Sequence, residues 1–281
     1  MKIRIKFSKQ GNMRFIGHLD IMRYFQKVMR RADVNIRYSE GFSPHQIMSF
    51  AAPLGVGLTG SGEYLDIEVL STDSSIEMLR RMNETMVDGM QIVSYKLLPD
   101  DAVNAMSLVA ACDYTVRLRN GYAEKLGMTN AEFLSGLVSY IENGNLEIVK
   151  KTKKGERLVD LKPCIYEHAL TADGEGIFLK LSSGSANNIK PELVLEAYCN
   201  SMSKEYPQFG FAINREEVYA DIINWINEKS EKHQEEMNQT VVVESIDEVL
   251  LPQEEVVENI TQEVEETTEI ETEEIKEDTE E

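Results

Sequence analysis

The stretch RFIGHLDIMRYFQKVMRRADVNIRYSEGFSPHQIMSFAAPLGVGLTGSGEYLDIE, residues 14–68, decides how the first part of this chain folds. Apolar residues at three- and four-residue spacing predict a helix from His18 to Ala32. A loop at Ser39 to Gln46, an apolar strand at Ile47 to Leu54 and a glycine-rich run at Gly55 to Gly62 follow it. Two histidines and several carboxylates within this stretch are more polar residues than a bare scaffold needs. They indicate a binding or catalytic surface.

Working outward, the flanking residues complete an α+β pattern. Alternating polar and apolar residues predict strands, and a second amphipathic stripe predicts another helix. The predicted strands are 2–7, 13–16, 35–38, 63–70 and 90–98, and the predicted helix is 74–86. Together these elements are close to a ferredoxin-like sandwich, in which a split β-α-β unit is repeated.

The following residues repeat this plan without a convincing residue-level match. Thr129 is expected to cap a helix from Asn130 to Asn143 that Gly144 closes, and Pro191 is expected to open another helix that ends near Met202. Strands are predicted at 111–119, 146–151, 157–161, 166–171, 176–181 and 209–213, the last of them, and residues 218–226 are expected to close the fold. The sequence therefore predicts an α+β fold of two tandem ferredoxin-like units, residues 1–105 and 106–227, followed by a disordered acidic tail at 228–281.

The predicted tail accounts for the low isoelectric point of the chain. Residues 228–281 contain 21 acidic and three basic residues, a net charge of −18, whereas the whole chain carries −20. The tail has no aromatic residue and no glycine, and its charge opposes compaction. A solubilising disordered tail is the plain interpretation. Two alternatives remain: the tail is an autoinhibitory or partner-binding arm that competes with RNA for the basic residues, or it contains a short helix at 249–257 that folds on binding.

Composition also favours a cytoplasmic protein. No signal peptide is recognised in the alternating start MKIRIKFSK, and no run of about 18 apolar residues predicts a membrane span. The three cysteines, Cys112, Cys164 and Cys199, are widely spaced and form no metal-binding or redox motif, so they are expected to be structural thiols. No cofactor is predicted for this chain.

A basic surface is the strongest functional signal in the residues themselves. Residues 1–50 contain ten basic and three acidic residues, a net charge of +7 in an acidic protein, which indicates an anionic partner. Basic residues beside aromatic side chains suit RNA, whose phosphates bind cations and whose bases stack on rings. The candidate RNA-binding residues are Arg14, Arg23, Tyr24, Lys27, Arg30, Arg31, Tyr38, Phe42, Lys150, Lys151, Lys153 and Lys154.

Catalytic groups are less clearly indicated. His18 is either a residue that caps a helix start or an acid/base or phosphate contact. His45 lies in a loop, where a functional role is more common. A metal could be bound by the two histidines together with Asp20, Glu63 and Asp66. However, Glu63 and Asp66 are three residues apart on a predicted strand and should point to opposite faces. No metal site is therefore predicted. The glycines Gly55, Gly57, Gly60 and Gly62 form either a flexible hairpin or a phosphate-binding nest of backbone amides.

The order of the motifs GHLD, YSEGFSPH, APLGVG and GEYLD resembles the bacterial radical-SAM-linked protein family, a domain of unknown function. The resemblance extends over roughly residues 1–225 and is strongest at 14–68. Members of that family occur alone or fused behind a radical-SAM domain of the cobalamin-binding type. The resemblance therefore implies a radical-SAM protein as partner. The family pattern often has proline and lysine after the histidine, where this chain has Gln46 and Ile47, which weakens a role for a cation in this loop.

Three functions remain open on the sequence. The first is a non-catalytic accessory protein that binds tRNA or rRNA for a radical-SAM partner. The second is a metal-independent ribonuclease or RNA-modifying enzyme that uses His18 or His45. The third is an adaptor that binds another protein and no nucleic acid.

Overall fold

Nine strands of the described residues form one sheet, which organises the fold. The computed structural model describes residues 1–152, 155–184, 188–221 and 243–245. They belong to one compact unit, Met1–Ile246, and a second unit, Asp247–Glu281, lies outside the described residues. The mixed α+β class expected from the sequence is confirmed.

Strands and helices alternate along both halves of the described chain. The first half contains β1 (Lys2–Lys9), a 3₁₀ helix (Gly11–Phe15), α1 (His18–Arg31), β2 (Met48–Phe50), β3 (Thr59–Glu68), α2 (Ser75–Asn83) and β4 (Met90–Leu98). The second half contains α3 (Ala105–Leu108), β5 (Val109–Leu118), α4 (Tyr122–Lys125), α5 (Asn130–Asn143), β6 (Glu147–Thr152), β7 (Gly155–Asp160), a 3₁₀ helix (Lys162–Cys164), β8 (Ile165–Leu170), β9 (Ile177–Ser182), α6 (Pro191–Ser201), β10 (Phe211–Asp221) and β11 (Val243–Ser245).

The strands of the large sheet follow the order β4-β1-β3-β10-β5-β9-β8, with β2 on β3 and β11 on β10. Neighbours are antiparallel except β3 and β10, which run parallel where Asn214 and Arg215 meet Thr59 and Gly60. Strands β6 and β7 form a separate hairpin. Because β10 pairs with β5 on one side and β3 on the other, it joins the two halves into one sheet.

The core of the first half lies between the sheet and helices α1 and α2. Alternation along β1 sends Ile3, Ile5 and Phe7 to this face, where all three are buried. Phe25 of α1 makes edge-on ring contacts with Phe7 at 4.8 Å and with Phe50 at 5.6 Å. Burial of each such side chain contributes about 1.5–3 kcal/mol, so these contacts fix α1 on the sheet.

The second half has its own core beneath α5 and α6. Thr129 begins α5 through a reciprocal capping box with Glu132, and Gly144 ends it, as the sequence predicts. Phe133 of α5 packs on Tyr198 of α6 at 5.1 Å and on Phe211 of β10 at 5.7 Å. The three cysteines are buried thiols.

The opposite face of the first half is polar and is covered by the segment that leads into α3. Arg4 is fully buried and donates two hydrogen bonds to Asp66, at 2.7 and 2.8 Å. Asp66 also accepts from the Ala105 amide at 2.7 Å, and Arg4 donates to the Val103 carbonyl at 3.0 Å. This ion pair therefore fastens the connection between the two halves to the sheet.

One predicted strand is wrong. Residues 13–16 fall in and after a 3₁₀ helix that contains Met13 and Arg14, with hydrogen bonds from the Met13 amide to Gln10 and from the Ile16 amide to Met13. A returning strand would need a free edge of β1, but β3 and β4 already occupy both edges. The chain therefore turns directly into α1.

Two further predictions differ from the structure in detail. The strand expected at 209–213 and the closing segment expected from residue 218 both fall in one strand, β10 (Phe211–Asp221), with a bulge between Arg215 and Glu217. Residues 222–226 lie outside the described residues. The strand expected at 35–38 is reduced to isolated bridges of Ile36 with Val69 and of Tyr38 with Gln46. Strand β11, residues 243–245, lies inside the segment predicted to be disordered, and the rest of 228–281 lies outside the described residues.

Candidate nucleic-acid interface

The outer face of α1 carries the basic residues that the sequence assigns to this helix. Its inner face is buried by Ile21, Phe25, Val28 and Met29, and its outer face exposes Arg23, Lys27, Arg30 and Arg31. Asp20 forms an exposed ion pair with Arg23 at 3.2 Å. In the part of the chain that the structure describes, no ion pair is recorded for the other three. This outer face is called the basic face below.

The basic residues of β1 do not add to this surface. Arg4 pairs with Asp66, and Lys6 pairs with Glu217 at 2.6 Å. Lys9 is buried, and its ammonium donates to the Ile16 carbonyl at 3.0 Å. Burial lowers the pKa of the Lys9 ammonium below its ordinary value, and the Glu63 carboxylate opposes this effect. Arg4, Lys6 and Lys9 therefore contribute little to the exposed positive charge of residues 1–50.

The loop from Tyr38 to Gln46 closes on itself beside α1. The Ser39 amide donates to the His45 carbonyl at 2.8 Å, and the Ser39 hydroxyl lies 2.8 Å from His45 Nδ1. The Gln46 side chain donates to the Gln26 carbonyl of α1 and to the Tyr38 hydroxyl, both at 3.3 Å. These bonds hold the loop next to the basic face.

Two of the three candidate stacking residues reach solvent there. Phe42 is fully exposed in this loop, and Tyr38 is exposed at its base. Tyr24 instead packs edge-on against Phe25, and its hydroxyl accepts from the Val87 amide at 3.0 Å. Burial raises the pKa of the Tyr24 hydroxyl. Tyr24 therefore serves the core, and Tyr38 and Phe42 remain as surface rings.

The two histidines lie in different surroundings. His18 is half-buried and packs edge-on against Phe50 at 5.3 Å, at the wall of a cavity of only about 20 Å³. His45 is exposed and is oriented by Ser39. Within the described residues, no hydrogen bond or ion pair is recorded for the His18 side chain. The structure does not bring the two rings together on a shared partner.

The four glycines do not form one loop. Gly55 and Gly57 precede β3, and the Gly57 amide already donates to the Arg14 carbonyl at 2.7 Å. Gly60 and Gly62 lie inside β3. A Cβ at Gly62 would lie 2.5 Å from the Glu216 carbonyl oxygen of β10, and one at Gly60 would overlap the Glu63 side chain. Gly62 thus permits the close approach of β3 and β10, and Gly60 leaves room for the Glu63 side chain.

The carboxylates considered as metal ligands are committed to different arginines. Glu63 pairs with Arg215 of β10, which donates to it from Nε at 2.8 Å and also donates from Nη2 to the Ala52 carbonyl at 2.6 Å. Asp66 pairs with Arg4, and Asp20 pairs with Arg23 of the basic face. Among the residues that the structure describes, no cluster of three or more potential metal-ligating side chains is found.

Two of the candidate RNA-binding lysines lie on the separate hairpin. Lys150 and Lys151 are in β6, in register with Arg157 and Glu156 of β7. Lys153 and Lys154 lie outside the described residues. The strands predicted at 146–151 and 157–161 are confirmed as β6 and β7, which pair with each other.

An aromatic cleft of about 520 Å³ separates the loops of the two halves. The first half contributes Phe15 and residues 56–58, and the second half contributes mainly Arg119, Glu192, Tyr206, Phe209 and Phe211. Arg14 places its guanidinium over the Phe15 ring at 4.7 Å, beside the start of α1. We refer to this feature as the aromatic cleft.

Sequence reasoning missed the aromatic cleft because its residues come from separate places in the chain. Arg119 follows β5, Glu192 lies in the first turn of α6, and Phe209 precedes β10. The one local signal was the run YPQFGF at 206–211, in which three aromatic residues surround a proline and a glycine. That composition predicts a turn, and only the fold shows that the turn lines a cavity.

These features occur in a chain that belongs to a bacterial family described as an uncharacterised protein conserved in bacteria, DUF2344. The family match covers residues 2–191, which includes the basic face, the exposed loop and part of the aromatic cleft. No curated protein matches the sequence. Across the described residues, every helix is too short or too polar to cross a membrane.

Proposed function

We propose that this protein binds tRNA or rRNA and acts in the cytoplasm as an accessory to a radical-SAM enzyme. The observation that carries RNA binding is the basic face, where four cations lie along one exposed side of α1. The loop with Tyr38 and Phe42 is hydrogen-bonded to the same helix. Cations that contact phosphates beside rings that stack on bases are the usual composition of an RNA-binding surface.

The radical-SAM partner follows from the resemblance of the motifs in residues 14–68. The exposed loop contains one of these motifs, YSEGFSPH, and its Phe42 is fully exposed. This ring also supports the adaptor alternative, because an exposed aromatic side chain is a common anchor at protein interfaces. The enzyme alternative has less support, because His18 packs on Phe50 while His45 is held by Ser39.

We also infer that the two halves are tandem ferredoxin-like units. The order β4-β1-β3-β2 in the first half corresponds to β10-β5-β9-β8 in the second, if strands are numbered within each half. In each half the first and last strands pair at the centre and two helices pack over the sheet. Such a duplication offers a surface longer than either unit, which suits an extended RNA strand.

Binding to total cellular RNA at several salt concentrations tests this proposal. Replacing Lys27 and Arg30 by glutamine should reduce the slope of log affinity against log salt by about 0.7 for each lost phosphate contact, or about 1.4 in all. Lys162→Gln with Lys204→Gln is the matched control, because both lysines are exposed and lie in the second half. Equal slopes for the two double variants would refute the basic face as the RNA-binding surface.

A further inference from the structure

We propose that the aromatic cleft binds one unpaired guanine base. This inference rests on the proposed RNA-binding function and adds the identity of the base and the residues that select it. The cleft volume of about 520 Å³ lies within the range of roughly 300–1,000 Å³ found for small-molecule sites. A purine nucleotide is the kind of ligand that such a volume accommodates.

The walls of the cleft suit a flat ring. Tyr206 and Phe211 are stacked, with ring centroids 5.5 Å apart and planes inclined by 24°. Phe209 is 76% exposed and has a backbone φ of 63°, a left-handed conformation that a bulky residue rarely adopts. A hydrogen bond of 2.8 Å from the Gly210 amide to the Pro207 carbonyl closes the turn that holds it there. The turn thus presents an unburied ring at the cleft, available for stacking.

Glu192 provides the selectivity. Its Oε2 atom is shielded from solvent, and among the described residues no group donates a hydrogen bond to it. A shielded carboxylate oxygen without a donor is costly, so it is well suited to accept from a ligand. Guanine presents two adjacent donors on its Watson–Crick edge, N1–H and N2–H, which match the two oxygens of a carboxylate. Adenine, cytosine and uracil each place an acceptor beside their donor and cannot make both bonds.

Arg119 supplies the charge that a nucleotide needs. Its Nε donates to the Phe211 carbonyl at 3.1 Å, which fixes the side chain at the cleft. Among the described residues no partner is recorded for the terminal nitrogens of the guanidinium, which can bind a phosphate. Phe15 lines the same cleft just before α1 begins. An RNA strand that places one base in the cleft can therefore continue toward the basic face.

The test uses the full chain and two RNA octamers, one all uridine and one with a single central guanosine, measured by fluorescence anisotropy. We expect the guanosine octamer to bind about 5- to 150-fold more tightly, the range for one bidentate base contact. Glu192→Gln should abolish this preference. Glu196→Gln, an exposed carboxylate on the same helix, should retain it. Phe209→Ala should weaken the guanosine octamer by a similar factor, through loss of stacking.

The possible results distinguish failure of the guanine site from failure of the proposed RNA-binding function. Equal binding of the two octamers, or a preference that survives Glu192→Gln, would overturn the guanine site while leaving RNA binding intact. If neither octamer binds, GMP is titrated directly by calorimetry, with AMP as the comparison. Selective GMP binding would then support the cleft and overturn the RNA-binding function, and no GMP binding would overturn both. Thermal melts of each variant confirm that it is folded.

Discussion

Replacing Arg215 by methionine should destabilise the protein by about 3–5 kcal/mol, because it leaves the Glu63 carboxylate buried without its counter-charge. Arg215 is 4% exposed and Glu63 is 3% exposed. The substitution removes both hydrogen bonds to Glu63 and the one to the Ala52 carbonyl. Methionine occupies similar space, so little of the loss arises from a cavity. Lys9 remains as a partial counter-charge, which places the expected loss near the lower end of the range.

Urea denaturation followed by circular dichroism measures this loss. Arg117→Met is the matched control, because Arg117 pairs with Asp173 at 2.8 Å but its side chain is 40% exposed, and such surface pairs contribute about 0–1 kcal/mol. Adding Glu63→Leu to Arg215→Met should recover part of the loss, since no unpaired charge then remains buried. Equal losses for Arg215→Met and Arg117→Met would refute the argument that this buried pair holds the two halves together.

Three further predictions concern the pairing of β3 with β10, the acidic tail at 228–281 and the two histidines. Gly62→Ala should lower the free energy of unfolding by about 1–3 kcal/mol, because its Cβ would meet the Glu216 carbonyl. A Cβ at Gly55 would lie 3.7 Å from the Leu58 side chain, so Gly55→Ala should be nearly neutral in the same denaturation assay. Truncation after residue 246 removes a net charge of −15. It should tighten RNA binding at low salt and leave the melting temperature unchanged. A lowered melting temperature would contradict this prediction. Purified wild-type protein should not cleave RNA without metal, and cleavage abolished by His45→Ala would establish the enzyme alternative instead.

The elements with strong periodicity could be predicted from the sequence. Helix α5 and strand β4 have the predicted bounds, and α1 differs by one residue. Each has a repeating apolar pattern, and α5 has a capping residue as well. The basic face was predictable for the same reason, because an amphipathic helix fixes which residues point outward.

The pairing of β3 with β10 and the aromatic cleft could not be predicted from the sequence. In both, the residues that meet are far apart in the sequence. The run NREE at 214–217 belongs to no predicted strand, yet it is the middle of β10. Its polar side chains are satisfied by distant partners: Asn214 donates to Ser61, Arg215 pairs with Glu63, and Glu217 accepts from Lys6 and Tyr64. Local sequence carries no record of those partners, so the polar residues argued against a strand.

The parallel pairing of β3 with β10 has a consequence for how the chain is synthesised. Glu63 leaves the ribosome 152 residues before Arg215, its partner. At roughly 5–20 residues per second, the nascent first half waits about 8–30 s with the start of β3 as an open edge. Gly60 and Gly62 make that edge a poor template for pairing with other nascent chains, and the unpaired carboxylate adds repulsion. Gly62, which later permits the close approach of β10, is thus also expected to lower the tendency of the unfinished protein to aggregate.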